Sequence, residues 1–365
     1  MGINARLLYS PEVRGWNRYT INLISELSQL DVALYLYTDR PIDPFYLSKL
    51  RPGSFQIRQS KPMNYFVWQE FWLGKNCIQD GVDVFHSPYH YGLPRGGRYK
   101  KILTLHDAID QNFYSPAQSI FTRWSPFALK IYYNQWIARQ RANLFITVSQ
   151  FSKNDLINAF SLEDKKIRVI YEAADSVFHL ATSANEPSKA ISNHLIAAKY
   201  VLYVGGLERR KNLPFLIDAF SSAQLKDTDL VIVGAGSSAH LPTSDSRIKF
   251  LGFVSDPDLA ALYSRAQCFV LPSLYEGFGL PLCEAMACGC PTLAAQSSCL
   301  PEILGSGGES FPLTEKSRLI ELLKKIASDS GFRESLRERA RERSKHFSWK
   351  NTASETLSAY QSLLN

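Results

Sequence analysis

The sequence predicts an α/β protein built from two doubly wound, mostly parallel sheets in succession, and three observations carry that prediction. The chain has 365 residues, more than the ~250–300 at which a single hydrophobic core stops growing. Short apolar runs alternate with longer helix-like stretches, the βα pattern of strands covered on both faces. The alternation stops once and then restarts. The break, Leu180 to Asn193, reads LATSANEPSKAISN; it has few large apolar residues and a Pro, which suits an exposed linker.

In order, the strand-like runs of the first half fall at residues 2 to 8, 32 to 38, 82 to 86, 101 to 106, 144 to 148 and 167 to 171. After the break they fall at 200 to 204, 230 to 233, 248 to 251, 268 to 271 and 291 to 294. A charged, Leu-periodic helical stretch covers 315 to 345, and 352 to 364 carries apolar positions at helical spacing. The predicted domains are 1–178 and 179–349, with the terminal helix 350–365 packing back on the first. Two such sheets facing each other would set their strand carboxyl ends, where open α/β sheets bind ligands, on either side of one cleft.

Composition narrows the function classes. Hydrophobic residues make up 45% and charged residues 21%, which excludes disorder and low complexity. No run approaches the ~18–20 apolar residues of a membrane-spanning helix, and the N-terminus enters strand-like sequence without a signal peptide's regions, so a cytoplasmic protein is expected. Gly2 does not make a myristoylation site, because Arg6 stands where that motif needs Ser or Thr. The six cysteines, Cys77, Cys268, Cys283, Cys288, Cys290 and Cys299, lack CxxC spacing and flanking histidines and read as buried thiols.

Charge is uneven. Residues 1 to 178 carry 21 basic and 15 acidic side chains, the remainder 20 and 19. From Arg95 to Arg141, eight basic residues face only Asp107 and Asp110, interleaved with Tyr, Phe and Trp. Such a mixture suits an anionic membrane surface or a phosphate-bearing substrate, and RNA could use it too. A helix with inward aromatics and merely solvated cations is the competing reading.

The segment Pro272 to Gly289 carries the strongest chemical signal. It follows an apolar strand and opens a helix; Gly277 and Gly279 free the backbone for close ligand approach, and Pro281 suits a first helical turn. Unpaired amides there offer a positive dipole end to an anion. Glu276 in the loop and Glu284 in the helix present two acceptor-only carboxylates suited to sugar or ribose hydroxyls; alternatively Glu276 caps the helix and Glu284 is a solvated first-turn acid. A second segment, Val204-Gly205-Gly206-Leu207-Glu208-Arg209-Arg210-Lys211-Asn212, also follows a strand. Glycines followed by Arg and Lys read as a diphosphate clamp or as an exposed basic turn.

Together the Glu276-x7-Glu284 segment and GGLERRKN at 205 to 212 resemble the retaining glycosyltransferases of family 4, which have the two-Rossmann-domain architecture called GT-B. GINARLL at the N-terminus, DVFHSPYH at 83 to 90, TLHDAI at 104 to 109, ITVSQFSKNDL at 146 to 156 and IRVIYEAAD at 167 to 175 extend the resemblance over nearly the whole chain. It implies a nucleotide-diphosphate sugar bound mainly by the second domain and transferred with retention at the anomeric carbon, with no cofactor and no required metal. By the same resemblance Arg210 and Lys211 would hold the diphosphate, Glu284 the ribose, and Phe253 with Val254 the base. Glu276, Gly277 and the amides of Phe278, Gly279 and Leu280 would position the sugar, Gly206 would admit the diphosphate closely, and His106 would reach the transferred sugar beside the acceptor on closure of the cleft. Preorganised cations and amides at the departing diphosphate are where transition-state stabilisation should be greatest.

The glycine loop of the family, reading like GIGRY, is here Gly15-Trp16-Asn17-Arg18-Tyr19. Asn17 replaces a glycine, tolerably if its backbone is left-handed, and Trp16 either packs or stacks on substrate. Gly234-Ala235-Gly236 lacks the third glycine of a dinucleotide fingerprint, and Pro242 interrupts the helix it needs, so NAD is rejected. His86, His90 and His106 read as separate strand-end histidines rather than a metal set. A UDP-sugar such as UDP-glucose is favoured as donor, with GDP-mannose next, and the acceptor is a glycan or lipid-linked saccharide of bacterial polysaccharide assembly. Peripheral attachment to an anionic membrane is expected and a nucleic-acid partner is not. The alternatives are an epimerase or hydrolase of sugar nucleotides and an inactive nucleotide-sugar-binding subunit.

Overall fold

The structure is a computed structural model; it describes residues 1–10, 15–109, 126–179, 197–235 and 245–365, with side chains of the helix Pro126–Arg141 described from Tyr133 onward. The chain forms two compact units, Met1–Glu172 with Trp349–Asn365, and Ala173–Ser348.

The first unit is built on strands β1 (Gly2–Asn4), β2 (Leu34–Thr38), β3 (Phe55–Gln59), β4 (Val84–Ser87), β5 (Lys100–Thr104), β6 (Leu144–Thr147) and β7 (Ile167–Val169). They lie in the order β3-β2-β1-β4-β5-β6-β7, every pairing parallel. Trp68, Leu73, Phe85, Leu103 and Phe145 form part of a core in which each is at most 2% exposed, and each such side chain stabilises the fold by roughly 1.5–3 kcal/mol. The first strand is shorter than the apolar run 2 to 8. Asn4 turns its side chain onto the Arg6 amide at 3.2 Å, and Arg6–Tyr9 winds into a 3-10 turn, the local competition that ends strands at Asn.

The second unit holds β8 (Lys199–Val204), β9 (Thr228–Val233), β10 (Ile248–Gly252), β11 (Cys268–Leu271), β12 (Thr292–Ala295) and β13 (Glu309–Phe311), in the order β10-β9-β8-β11-β12-β13, again all parallel. The strand order reverses between β8 and β11, which makes that pair the topological switch point where such sheets take ligands. The amino end of this sheet is closed by the helix Ser330–Ser344. Its Arg337, Arg339 and Arg343 donate to the carbonyls of Ser264, Ala266, Gly289, Ser306, Gly308, Glu302 and Ile303, ahead of β11, β12 and β13.

Three details differ from the sequence pattern. The units part at Glu172 rather than at 178, because Phe178 packs edge-on to Tyr263 at 6.0 Å and its carbonyl accepts the Cys288 thiol. The helical stretch 315 to 345 is two helices, Lys316–Ser328 and Ser330–Ser344, divided where Asp329 accepts the Phe332 amide as an N-cap. The edge strands β3 and β13 were not legible as strands. The linker 180 to 193 and much of the basic aromatic segment, residues 110–125, lie outside the described residues. All six cysteines are free and buried.

Candidate active site

At the carboxyl end of β8 the chain turns through Gly205 and Gly206 into a 3-10 turn, Arg209–Lys211, and then reaches Asn212, whose φ of 52° is a left-handed value that Asn tolerates. This sends Lys211 inward. Its ammonium donates to Glu276 Oε1 at 2.7 Å, and Arg210 donates to Oε2 at 3.1 Å. Ser273 also donates to Oε1, at 2.7 Å. The two loops are joined by the backbone, with the Leu274 amide on the Arg210 carbonyl at 2.7 Å. Tyr203 donates to the Gly206 carbonyl at 2.9 Å and fixes the turn.

Glu276 is 7% exposed. Burial is the largest influence on its carboxyl and pushes the pKa up, but the charges of Lys211 and Arg210, with the bonds from Lys211 and Ser273, together outweigh it and hold the group below the usual carboxylate range. The triad itself holds two cations and one carboxylate, and the Glu208 carboxylate lies on the same loop, over Gly206. The expected independent roles of these three residues are therefore coupled: the carboxylate that was expected to face sugar also holds both cations. Glu276 does not cap the helix either, since its side chain is spent on the cations and on Ser273.

Beside the triad begins the helix Leu280–Ala287, whose N-cap Gly279 has φ 87°. A side chain there would be strained and would crowd Leu300 Cδ2 at 3.0 Å. In its first turn Pro281 has no N–H and the Leu282 amide donates to the Gly279 carbonyl at 2.8 Å, so the Leu280 amide is the first-turn donor left at the helix end. Gly277 and Phe278 are buried in the approach and Leu280 half-buried. Glu284, four residues into the helix, is 5% exposed rather than solvated and accepts from the Tyr263 hydroxyl at 3.4 Å. On the other side of β8, Gly234 (φ 89°) packs so closely that a Cβ would stand 3.2 Å from the Gly205 carbonyl, which accounts for that glycine without a dinucleotide. Gly236 and Pro242 lie outside the described residues.

Phe253 follows β10 and is 86% exposed, while Val254 is half-buried. Register sets Val204, Val233 and Gly252 side by side, so from Phe253 to Glu276 the candidate residues occupy three of four adjacent strand ends, about 14 Å across at ~4.8 Å per strand. Sequence spacing did not reveal the serines that support this row. Ser298, held at φ 47°, accepts the Glu276 amide at 3.0 Å, and Ser297 donates to the Ser273 carbonyl at 2.5 Å.

The first unit carries its own polar cluster past the carboxyl ends of β4, β5 and β7. His106 Nδ1 donates to Glu172 Oε1 at 2.9 Å and Nε2 to the Pro88 carbonyl at 3.1 Å. Both partners are acceptors, which favours the doubly protonated, cationic ring. Burial is the largest influence and opposes that charge, but Glu172 and the Pro88 carbonyl outweigh it and raise the pKa. His90 is the opposite case: its Nε2 accepts the His106 amide at 3.1 Å, so the ring is neutral, and burial followed by the His106 charge pulls its pKa down to about 3. His86 lies between the hydroxyls of Tyr360 (2.6 Å) and Thr104 (2.7 Å) and is likewise lowered to about 3 by burial. The expected reach of His106 to a sugar is thus not made through an idle nitrogen.

Trp16 stacks on His106, with centroids 6.3 Å apart, and lies tilted against His90 at 5.1 Å. Gly15 and Asn17 do not take left-handed backbone: both lie in the helix Gly15–Leu27, and the buried Asn17 amide donates to the Leu7 carbonyl at 3.0 Å. Among the described residues, no three His, Cys, Asp or Glu side chains are grouped to hold a metal ion.

Residues 13–178 match the family model "Glycosyltransferase Family 4" and residues 185–343 the model "Glycosyl transferases group 1". The chain is 32% identical to O-antigen chain mannosyltransferase B of Escherichia coli over 79% of this chain and 76% of that protein. It is 29% identical to a serotype-specific mannosyltransferase of Escherichia coli over 64% of this chain, but spans only 31% of that longer protein. Sucrose-phosphate synthase from Thermosynechococcus elongatus shares the GT-B fold with a TM-score of 0.75 at 22% identity, covering 100% of this chain and 98% of that one. With both models matched in succession and a relative of this identity and coverage, the chain belongs to the group 1, family 4 glycosyltransferases.

Proposed function

We propose that the chain transfers a hexose from a nucleotide-diphosphate sugar to a glycan or lipid-linked saccharide of polysaccharide or O-antigen assembly, with retention at the anomeric carbon and without a metal ion. The observation that carries this reading is the Arg210–Lys211–Glu276 triad beside the first turn of Leu280–Ala287 at the switch point of the second unit. Side-chain cations there supply the charge that a divalent ion would otherwise bring to a departing diphosphate. The Phe253 ring suits a base, Val254 and the tight turn at Gly206 suit close backbone approach, and Glu284 suits ribose hydroxyls.

Two curated relatives are named as mannosyltransferases, which moves the preferred donor from UDP-glucose to GDP-mannose. His106 acts on the sugar, in this reading, by exchanging its Pro88 bond for a sugar hydroxyl while Glu172 keeps it charged. Peripheral attachment to an anionic membrane would bring the protein to a lipid-linked acceptor. Among the described residues no helix is long and apolar enough to cross a membrane.

The test is nucleotide release from GDP-mannose and UDP-glucose, with and without lipid-linked acceptor, in the presence of chelator, followed by NMR of the product's anomeric configuration. Acceptor-stimulated release from one donor with a retained configuration is expected. Release that needs added metal, or an inverted product, would overturn the mechanism proposed.

A further inference from the structure

Residues 65–79 form one helical run, Tyr65–Val67, Trp68–Leu73 and Gly74–Gln79, with a π turn in the middle. Its inner side is apolar, with Trp68, Leu73 and Cys77 fully buried in the core of the first unit. Its outer side is apolar too: Phe66 and Val67 are each 44% exposed, Phe71 61% and Ile78 60%. A surface helix normally turns polar residues outward, and one that is apolar all round is covered on both sides.

The π turn matters here. In a regular α-helix Phe66 and Phe71 would lie about 140° apart around the axis, whereas the wider turn brings their rings to 6.5 Å, edge to face. Phe71, Lys75 and Ile78 then follow at helical spacing on one face. On the helix Pro126–Arg141 the exposed Tyr133 and Trp136 stand with their rings 6.3 Å apart. The two helices are tied by the ion pair of Arg141 with Glu70 at 2.7 Å.

Charge decides the occupant. Glu70, the carboxylate of the run, is only 7% exposed and spent on Arg141, and Asp80 just beyond it is paired with Arg58 at 2.7 Å. Lys61 and Lys75 are exposed, and the exposed Arg95–Arg98 stretch is held against the run, because the Arg95 carbonyl packs where Gly74 has no Cβ. An apolar ridge with cations beside it, on a unit that also exposes Trp136 and Tyr133, fits a bilayer surface bearing anionic headgroups.

We propose that the ridge Phe66, Val67, Phe71 and Ile78, with Lys75, Arg95 and Arg98, docks the first unit on an anionic lipid surface. This names the surface for the membrane attachment in the reading above. It rests on that reading only for the identity of what is met there, since vesicle binding needs neither donor nor acceptor.

The test is co-flotation of the full chain with phosphatidylcholine vesicles, with and without phosphatidylglycerol, at low and high salt. The wild type should float with phosphatidylglycerol vesicles and partly detach at high salt. Phe71→Ser with Ile78→Ser, both at exposed positions, should lower partitioning roughly tenfold or more at either salt. Lys75→Glu with Arg95→Glu should lower it only where phosphatidylglycerol is present. Unchanged thermal unfolding of the variants, and unchanged nucleotide release with a soluble acceptor, keep this outcome separate from failure of the transferase reading. No flotation of the wild type, or equal flotation of all variants, overturns the proposal. A wild-type dimer in light scattering that Phe71→Ser separates also overturns it, since the ridge would then face a second copy of this chain.

Discussion

Each unit buries a carboxylate against side-chain nitrogen past the carboxyl ends of its strands, yet the two clusters are finished differently. In the first, the charge of His106 is closed within the unit, because Glu172 and the Pro88 carbonyl take both ring protons. In the second, Glu276 is shared between two cations beside a helix amino end. Buried charge is costly unless paired. The first cluster is thus closed as a single pair, and the second is open in the sense that one carboxylate serves two cations.

The largest effect should come from breaking the closed cluster. Glu172→Gln removes the charge partner of His106 and should cost about 3 kcal/mol of stability, near the lower end for a broken buried pair because the ring can release its proton. The pH dependence sharpens this. The folded-state pKa of His106 is raised above 6.5, so its stabilisation is complete below that value and is lost as pH rises through the folded value. His86 and His90, lowered to about 3, act on the other side: the unfolded chain takes up more protons, so stability falls as pH drops from about 6.5 towards 3. Thermal unfolding across pH should show both arms in the wild type, and only the acid arm in Glu172→Gln. An alkaline arm that persists in the variant would assign it to another group.

Next in size is the open cluster. Lys211→Ala and Glu276→Ala should each lower turnover roughly 100-fold or more, the scale of losing one charge-stabilising donor, while leaving the fold of the first unit intact. Near wild-type kcat in either variant removes that residue from the mechanism. Smaller again is Ser298→Ala, which deletes the acceptor of the Glu276 amide and should lower kcat about tenfold, as for one buried hydrogen bond, with little change in nucleotide affinity. A change confined to affinity would mean that Ser298 acts on the nucleotide rather than through Glu276.

Much of the fold was legible because central strands, covered on both faces, read as unbroken apolar runs. The missed strands are at sheet edges. Phe55–Gln59 alternates little and is largely exposed, and Glu309–Phe311 has three residues, so neither gives a periodic signal. The π turn was invisible for a related reason: Phe66 and Phe71 fit no helical template until the wider turn is known. Glu276, Glu284, Arg210 and Lys211 stood out as residue types at strand ends. Their coupling did not, since Lys211 and Glu276 are 65 residues apart in sequence. Glu172 went unassigned for the same reason, 66 residues from His106. Part of the basic stretch 95 to 141 is internal structure, as Arg139 lies 4.1 Å over the Phe160 ring and Arg141 pairs with Glu70.

The most direct test of the open cluster is calorimetric titration of the full chain with GDP and UDP in the presence of chelator, comparing wild type with Arg210→Ala and Lys211→Ala. The account predicts metal-free binding of one nucleoside diphosphate, weakened about tenfold or more in each variant as a charge-assisted contact is lost. Wild-type affinity in both variants, or binding that appears only with added divalent metal, would contradict it.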